Sequence, residues 1–121
     1  MSDIKNSNSI IAKKSYVFSL AIITNYKHLT NSKKEYVLSK QLLRSGTSIG
    51  SNVNEALSAE SKKDFIHKLG IILKELRETS ICLKIMQRKS LLWDVSILDE
   101  NKELIAIFSK SVVTAKANAS S

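Results

Sequence analysis

The sequence predicts an all-α protein, an antiparallel up-down-up-down four-helix bundle. Apolar residues recur at three- and four-residue steps in four long segments, which is the period of an amphipathic helix. The 121-residue chain contains no proline, and no segment shows the apolar–polar alternation of a half-buried strand. The connections between the segments are short, and short connections make consecutive helices antiparallel neighbours. A chain of this length is expected to form one domain, covering residues 1–121.

The helix boundaries follow from this periodicity and from capping signals. Ser32 with Glu35 forms an S-x-x-E capping box that predicts the start of the second helix. Ser61 with Asp64 forms a weaker box before the third. Trp93, in the connection that precedes the fourth helix, is expected to fill one end of the core. The four helices are predicted over roughly residues 9–31, 33–59, 62–90 and 99–117.

The segment RSGTSIGSNVNEA, residues 44–56, has a composition that is poor for a helix. Its inward stripe nevertheless keeps helical period when the second helix is continued through it. Gly46 and Gly50 share a face, and small residues at this spacing allow a second helix to approach closely. A phosphate-binding loop is the competing interpretation, but neither glycine-rich nucleotide motif is present. We therefore predict that the segment is helical.

Polar side chains of this segment and of the third helix are expected to form a structural layer between the two helices. Polar groups on an inward face need partners, because an unmade buried hydrogen bond costs about 1–3 kcal/mol. In an antiparallel pair, the middle of the third helix faces the middle of the second. The residues predicted to form this layer are Arg44, Ser48, Asn52, Glu55, Glu75 and Glu78.

The formal net charge of +8 is the strongest compositional signal. Before Ser51 the only acidic residues are Asp3 and Glu35, set against seven lysines and one arginine. This imbalance favours a polyanionic partner, although a soluble protein with solvated lysines is an equally good explanation. Because nearly all the basic residues are lysines, contact with phosphates is favoured over base-specific reading.

An up-down bundle collects many of these basic residues at one end, where the first helix ends, the second starts and the third ends. Asp94, Asp99 and Glu100 enter at the same end and could largely cancel the positive charge. The aromatic residues of the helices lie mostly at core or interface spacing, which disfavours stacking on single strands. The candidate nucleic-acid-binding residues are Lys13, Lys14, Lys27, Lys33, Lys34, Lys40, Arg88 and Lys89.

No constellation of residues predicts catalysis, a metal site or a cofactor. A di-iron bundle needs two Glu-x-x-His motifs, whereas the chain offers a single Asp-x-x-His, from Asp64 to His67. Cys82, the single cysteine, lies on a largely apolar helix, which is typical of a buried inert thiol in a reducing compartment. The apolar stretches are too short to span a bilayer, and the N-terminus lacks the apolar core of a secretory signal. We expect a cytoplasmic protein without a membrane partner.

The segments RSGTSIGSNVNEA and DFIHKLGIILKELRETS resemble the four-helix-bundle proteins encoded within intervening sequences of bacterial 23S ribosomal RNA genes. The family signature is an Arg, a Ser-Ile pair, an Asn and a Glu, followed on the next helix by a Phe, a Leu and a Glu-rich stretch. The chain has Ala56 where the family often has Gly. The matching positions are Arg44, Ser48, Ile49, Asn52, Glu55, Phe65, Leu69, Glu75 and Glu78.

The resemblance covers essentially the whole chain and implies assembly as a homopentameric barrel. It also implies kinship with the accessory variability protein of diversity-generating retroelements, a basic pentamer that binds nucleic acid and works with a reverse transcriptase. We therefore expect a non-enzymatic homo-oligomer that binds RNA or DNA as a scaffold or accessory factor, with a reverse transcriptase or another protein as a further partner. The alternatives are a protein–protein interaction adaptor that binds no nucleic acid and, less favoured, an RNA-processing enzyme.

Overall fold

The chain forms a bundle of helices. A computed structural model of the protein describes the backbone of residues 2–120 and the side chains of residues 8–119. Within this part there are four α-helices and no strand, and each helix packs against the next, with α1 also contacting α4. None of the described helices is long and apolar enough to cross a membrane. The helices are α1 (Ser2–Asn31), α2 (Val37–Leu57), α3 (Lys62–Arg88) and α4 (Ser96–Ser120).

The contacts between α2 and α3 run in opposite directions along the two helices. Near the start of α2, the carbonyl of Leu38 accepts a weak hydrogen bond from the Cys82 thiol at 3.8 Å. Near its end, Glu55 accepts a hydrogen bond from Lys68 Nζ at 2.7 Å. Residue numbers therefore rise on α2 while they fall on α3, which is the antiparallel arrangement that the short connection predicts.

The core is filled by large apolar side chains from all the helices. Full burial of one such side chain stabilises the folded state by about 1.5–3 kcal/mol, so these residues supply most of the driving force for folding. On α2, α3 and α4 their spacing matches the inward stripes that the sequence predicts. On α1 the prediction is wrong: the residues expected to face inward, Ile10, Val17, Leu20 and Ile23, are exposed, and Phe18 and Ile22 fill the core instead. The largest fully buried side chains are Phe18, Ile22, Leu29, Leu42, Ile49, Leu69, Ile72, Leu76, Leu83, Met86, Ile97 and Phe108.

The start of α2 differs from the prediction. The helix begins at Val37 rather than at residue 33, and its first turn is capped by the side chain of Glu35 rather than by Ser32. The Glu35 carboxylate accepts hydrogen bonds at 2.9–3.1 Å from the backbone N–H groups of residues 37–39. Partial burial alone would raise the pKa of Glu35, but these hydrogen bonds outweigh it and lower the pKa.

The outer helices are longer than predicted, whereas the start of α3 agrees with its capping signal. α1 begins at Ser2 and α4 at Ser96, where Asp94 accepts a hydrogen bond from the Ser96 N–H at 3.0 Å. At the start of α3, the Ser61 hydroxyl accepts a hydrogen bond from the Asp64 N–H at 3.0 Å, as the S-x-x-D pattern predicts. The starts of α2, α3 and α4 thus depend on side chains that satisfy otherwise unpaired N–H groups.

The segment of residues 44–56 is helical throughout, as predicted, and its glycines allow α1 to lie close to α2. A methyl group added at Gly46 would meet Ile22 Cγ2 at 2.6 Å and Ile22 Cβ at 3.2 Å. A methyl group at Gly50 would meet only Ser19 Oγ, at 3.4 Å. Neither glycine has a positive φ angle, so Gly46 is required for space rather than for backbone conformation. We call the contact of Ser19 and Ile22 with Gly46 and Gly50 the α1–α2 seam.

Candidate nucleic-acid interface

Part of the predicted polar layer is an ion-pair cluster at the edge of the α2–α3 contact. The Arg44 guanidinium donates to Glu75 Oε2 at 3.3 Å and to Glu78 Oε2 at 3.1 Å. The hydrogen bond from Arg44 to Glu75 is the main reason that the pKa of Arg44 is raised. The Arg44 side chain is half exposed, so water screens this cluster and it does not form a buried layer.

The other predicted members of the layer have different partners. Glu55 pairs with Lys68 on α3. The Asn52 side-chain amide donates to the Ser48 carbonyl at 2.8 Å and to the Ser48 hydroxyl at 3.3 Å, so its hydrogen bonds stay within α2. The structure therefore separates Glu55, Asn52 and Ser48 from the Arg44 cluster.

A buried polar contact between α2 and α3 was not predicted from the sequence. The Thr79 hydroxyl donates to the Ser45 hydroxyl at 2.9 Å, and the Ser45 hydroxyl donates to the carbonyl of Leu42 at 3.2 Å. Both Thr79 and Ser45 are buried. Thr79 lies between Leu76 and Leu83 on the apolar stripe of α3, and this position was the available signal for its burial.

Two connections form the end of the bundle where the candidate cations concentrate. Residues 32–36 join α1 to α2, and residues 89–95 join α3 to α4. The second connection is attached to α1, because Asn25 Oδ1 accepts hydrogen bonds from the backbone N–H groups of Trp93 at 2.9 Å and Asp94 at 3.4 Å. We call this end of the bundle the basic end; its exposed cations are Lys27, Lys33, Lys34, Arg88 and Lys89.

Three acidic residues at the basic end, Glu35, Asp94 and Glu100, have local interactions of their own. The carboxylates of Glu35 and Asp94 bind the N–H groups that start α2 and α4, so they compensate the positive ends of those helices. The pKa of Glu100 is raised, chiefly by burial and then by its proximity to Asp94 and Glu103. Among the described side chains, no ion pair engages the five cations of the basic end.

Both connections of the basic end contain a residue in the left-handed region of backbone space. Lys34 has φ 54° and Ser90 has φ 57°, and in residues 2–120 no other non-glycine residue has a positive φ. Ser90 lies where α3 ends, and the Leu91 N–H bonds the Met86 carbonyl at 2.8 Å in a Schellman-type closure. The left-handed conformation costs a non-glycine residue about 1–2 kcal/mol.

The three remaining candidate lysines lie along the wall of the bundle and not at its basic end. Lys13 and Lys40 are exposed. The Lys14 ammonium pairs with Glu103 across the α1–α4 contact. Below this pair lies an open cleft of about 470 Å³ between α1 and α4, lined by Ile10, Lys13, Lys14, Val17, Glu100, Glu103 and Leu104.

The prediction that Trp93 fills one end of the core is wrong. Its side chain is 65% exposed, and its indole ring contacts the imidazole of His28, with 5.1 Å between the ring centroids. The end of the core is instead closed by Leu29 and Ile97, which are fully buried. Trp93 is therefore part of the surface of the basic end.

The side chains of His, Cys, Asp and Glu can bind a metal ion or act as nucleophiles. In the described part of the chain, no group of three or more His, Cys, Asp or Glu residues is placed to hold a metal ion. Burial, with a smaller contribution from Glu35, raises the pKa of Cys82 to about 11, so its thiol stays protonated at neutral pH. His67 is exposed near the start of α3.

Comparison with known proteins identifies the family. The family model of the 23S rRNA-intervening sequence protein matches residues 7–112. The chain belongs to this family. A protein of unknown function from the S23 ribosomal protein family of Bacteroides thetaiotaomicron, known from its crystal structure, is 39% identical to this family member. The two superimpose with a TM-score of 0.82 over 88% of this chain and 97% of that chain. No curated protein matches the sequence.

Proposed function

We propose that this protein is a non-enzymatic scaffold or accessory factor that assembles with copies of itself and binds RNA or DNA through phosphate contacts at the basic end. The observation that carries the proposal is the group of five exposed cations on two neighbouring connections and the adjoining ends of α1 and α3. None of the five is held in an ion pair among the described side chains. Lysines in this state can exchange their counterions for phosphates without first breaking an internal contact.

Assembly is supported by an unusual apolar surface on α1. Ile10, Val17, Leu20 and Ile23 are each about half exposed, and they lie on the side of α1 that faces away from the core. Contiguous exposed apolar residues are typical of a protein–protein contact. Together with the pentamer that the sequence resemblance implies, this surface supports a homopentamer. Repetition of the basic end around a ring would multiply its phosphate contacts.

The test of nucleic-acid binding is its salt dependence. The full chain is titrated with a structured RNA and with duplex DNA, using fluorescence anisotropy at several salt concentrations between about 50 and 300 mM. If three or four cations per protomer contact phosphates, log K falls against log salt with a slope of about −3 on duplex DNA. Absence of binding at about 150 mM salt, or a slope near zero, would overturn the proposal.

An adaptor function is the second candidate, because the apolar surface of α1 suits a protein partner as well as another copy of the chain. A reverse transcriptase is one such partner, suggested by the accessory proteins that the sequence resembles. Size-exclusion chromatography with light scattering distinguishes the two uses of this surface. A multimeric mass supports self-assembly, whereas a monomeric mass together with no salt-dependent binding favours the adaptor.

A further inference from the structure

Trp93 is an exposed aromatic residue whose backbone is held in place. It is the only tryptophan in the chain, and most of its side chain is exposed. Its N–H donates to Asn25 Oδ1 at 2.9 Å, while the Asn25 amide group donates to the carbonyl of Ala21 at 3.0 Å. Asn25 is fully buried. The residue that carries the exposed ring is therefore anchored to the body of α1.

The indole ring of Trp93 is supported by the imidazole of His28. The two ring planes are inclined at 52°, a tilted arrangement of the kind that aromatic pairs prefer. His28 lies in the last turn of α1 and is only partly exposed, so it restricts the indole ring and leaves most of it open to solvent. A ring that is already restricted loses little conformational entropy when another flat molecule stacks on it.

The cations of the basic end lie near His28 and Trp93 in the sequence. Lys27 directly precedes His28, and Arg88 and Lys89 lie a few residues before Trp93. The remaining two lysines belong to the neighbouring connection, residues 32–36. Cations that follow a phosphate backbone, combined with an aromatic ring that accepts bases, form the usual arrangement for binding single-stranded nucleic acid.

The aromatic ring adds a selectivity that the lysines alone lack. Lysine ammonium groups contact the phosphates of duplexes and single strands in the same way. A duplex keeps its bases stacked on one another, so it offers no free base face except at its ends. Single strands, loops and bulges offer unpaired bases to aromatic side chains.

We infer that Trp93, supported by His28, stacks on an unpaired base of a single-stranded or looped nucleic acid whose phosphates lie on the cations of the basic end. The inference rests on the nucleic-acid binding proposed above. It restricts the preferred ligand from nucleic acid in general to nucleic acid with unpaired nucleotides. It also reverses the expectation from sequence, which disfavoured stacking because the aromatic residues of the helices lie mostly at core or interface spacing.

The first experiment uses the intrinsic fluorescence of Trp93, which no other tryptophan obscures. The full chain is titrated with a thymidine strand of about 12 nucleotides, within the usual range of single-strand site sizes. An equally long strand with abasic sugars and a blunt duplex serve as controls. The thymidine strand should quench the fluorescence strongly, whereas the abasic strand has the same phosphates without bases and should quench it little.

The second experiment compares three variants by anisotropy. Trp93→Ala should weaken binding of the thymidine strand by about 5- to 140-fold, the range measured when one stacking aromatic is removed. Trp93→Phe keeps an aromatic face and should restore most of the affinity. Val95→Ala removes another exposed apolar side chain from the same connection and should bind like the wild type. None of the three variants should alter duplex binding by more than about twofold.

The outcomes separate this inference from the proposed function. If wild type and Trp93→Ala bind the thymidine strand equally, and the abasic strand quenches as much as the thymidine strand, the stacking inference is wrong while phosphate binding stands. If no nucleic acid binds in a salt-dependent way, the proposed function itself fails. If Trp93→Ala does not fold, the wild-type comparison of the thymidine and abasic strands still decides the question.

Discussion

Helix α1 meets the rest of the molecule in two contrasting ways. In its middle, at the α1–α2 seam, Ile22 lies so close to Gly46 that no methyl group fits between them. At its C-terminal end, Lys27 is exposed and His28 contacts the exposed ring of Trp93. The first region is closed and apolar, whereas the second is open and positively charged.

The two regions are expected to have different roles, one in stability and the other in binding. Several residues that carry the resemblance to the family, such as Ile49 and Leu69, are buried and hold the helices together. The cations of the basic end contribute nothing to the core, so they can change without loss of the fold. Variants in the α1–α2 seam should therefore change stability, whereas variants of the basic end should change affinity for nucleic acid.

The largest effect on stability is expected at the α1–α2 seam. Gly46→Ala places a methyl group against the stiff, β-branched Ile22, and overpacking of this kind typically costs about 1–3 kcal/mol. Gly70→Ala is the matched control, because Gly70 is exposed on α3 with nothing within 4 Å of an added methyl group. It should stabilise the protein by about 0.5–1 kcal/mol through helix propensity.

Urea unfolding of the two glycine variants measures this difference. Nucleic-acid affinity should stay the same in both, as long as the protein is folded. Equal stabilities for Gly46→Ala and Gly70→Ala would show that α1 and α2 do not approach as closely as described, and would remove the basis for a closed seam.

A smaller effect, with opposite signs for stability and affinity, is expected at Lys34. Its φ of 54° suits glycine, so Lys34→Gly relieves about 1–2 kcal/mol of backbone strain and loses about 0.5–1 kcal/mol to the greater entropy of the unfolded chain. We expect a net gain of up to about 1.5 kcal/mol in the free energy of unfolding. The loss of one cation should reduce the salt slope of duplex binding by about 0.9.

Lys33→Gly is the control for this variant, since Lys33 does not have a positive φ. It removes the same charge without relieving strain, so both stability and affinity should fall. If Lys34→Gly and Lys33→Gly change the melting temperature by the same amount and in the same direction, the strain argument is incorrect.

The fold could be predicted from the sequence because its signals are local and periodic. The spacing of Phe65, Leu69 and Leu76 predicts a helix with a buried face, and the two small residues Gly46 and Gly50 predict a close helix contact. The position of Trp93 could not be predicted in this way. The position of Trp93 depends on a hydrogen bond to Asn25, which is distant in the sequence. A local sequence pattern cannot predict such a contact.

The candidate site was predictable only in outline. The up-down topology indicated which cations share one end of the bundle, since topology fixes which helix termini meet. The use of Glu35 and Asp94 as helix caps depends on where α2 and α4 begin, and helix boundaries are the least certain part of a sequence pattern.

The location of the binding surface is the central claim, and two charge-reversed variants test it directly. Lys33→Glu with Lys34→Glu reverses two cations of the basic end. Lys62→Glu with Lys63→Glu reverses two exposed lysines at the start of α3, at the opposite end of the bundle. Both variants change the net charge by the same amount, so a difference between them reports position rather than overall charge.

The deciding measurement is the affinity of both variants for the same structured RNA at about 150 mM salt. We expect the pair at residues 33 and 34 to weaken binding at least about tenfold more than the pair at residues 62 and 63, with both proteins still folded. Equal losses in the two variants, or a larger loss for the pair at residues 62 and 63, would contradict the assignment of nucleic-acid binding to the basic end.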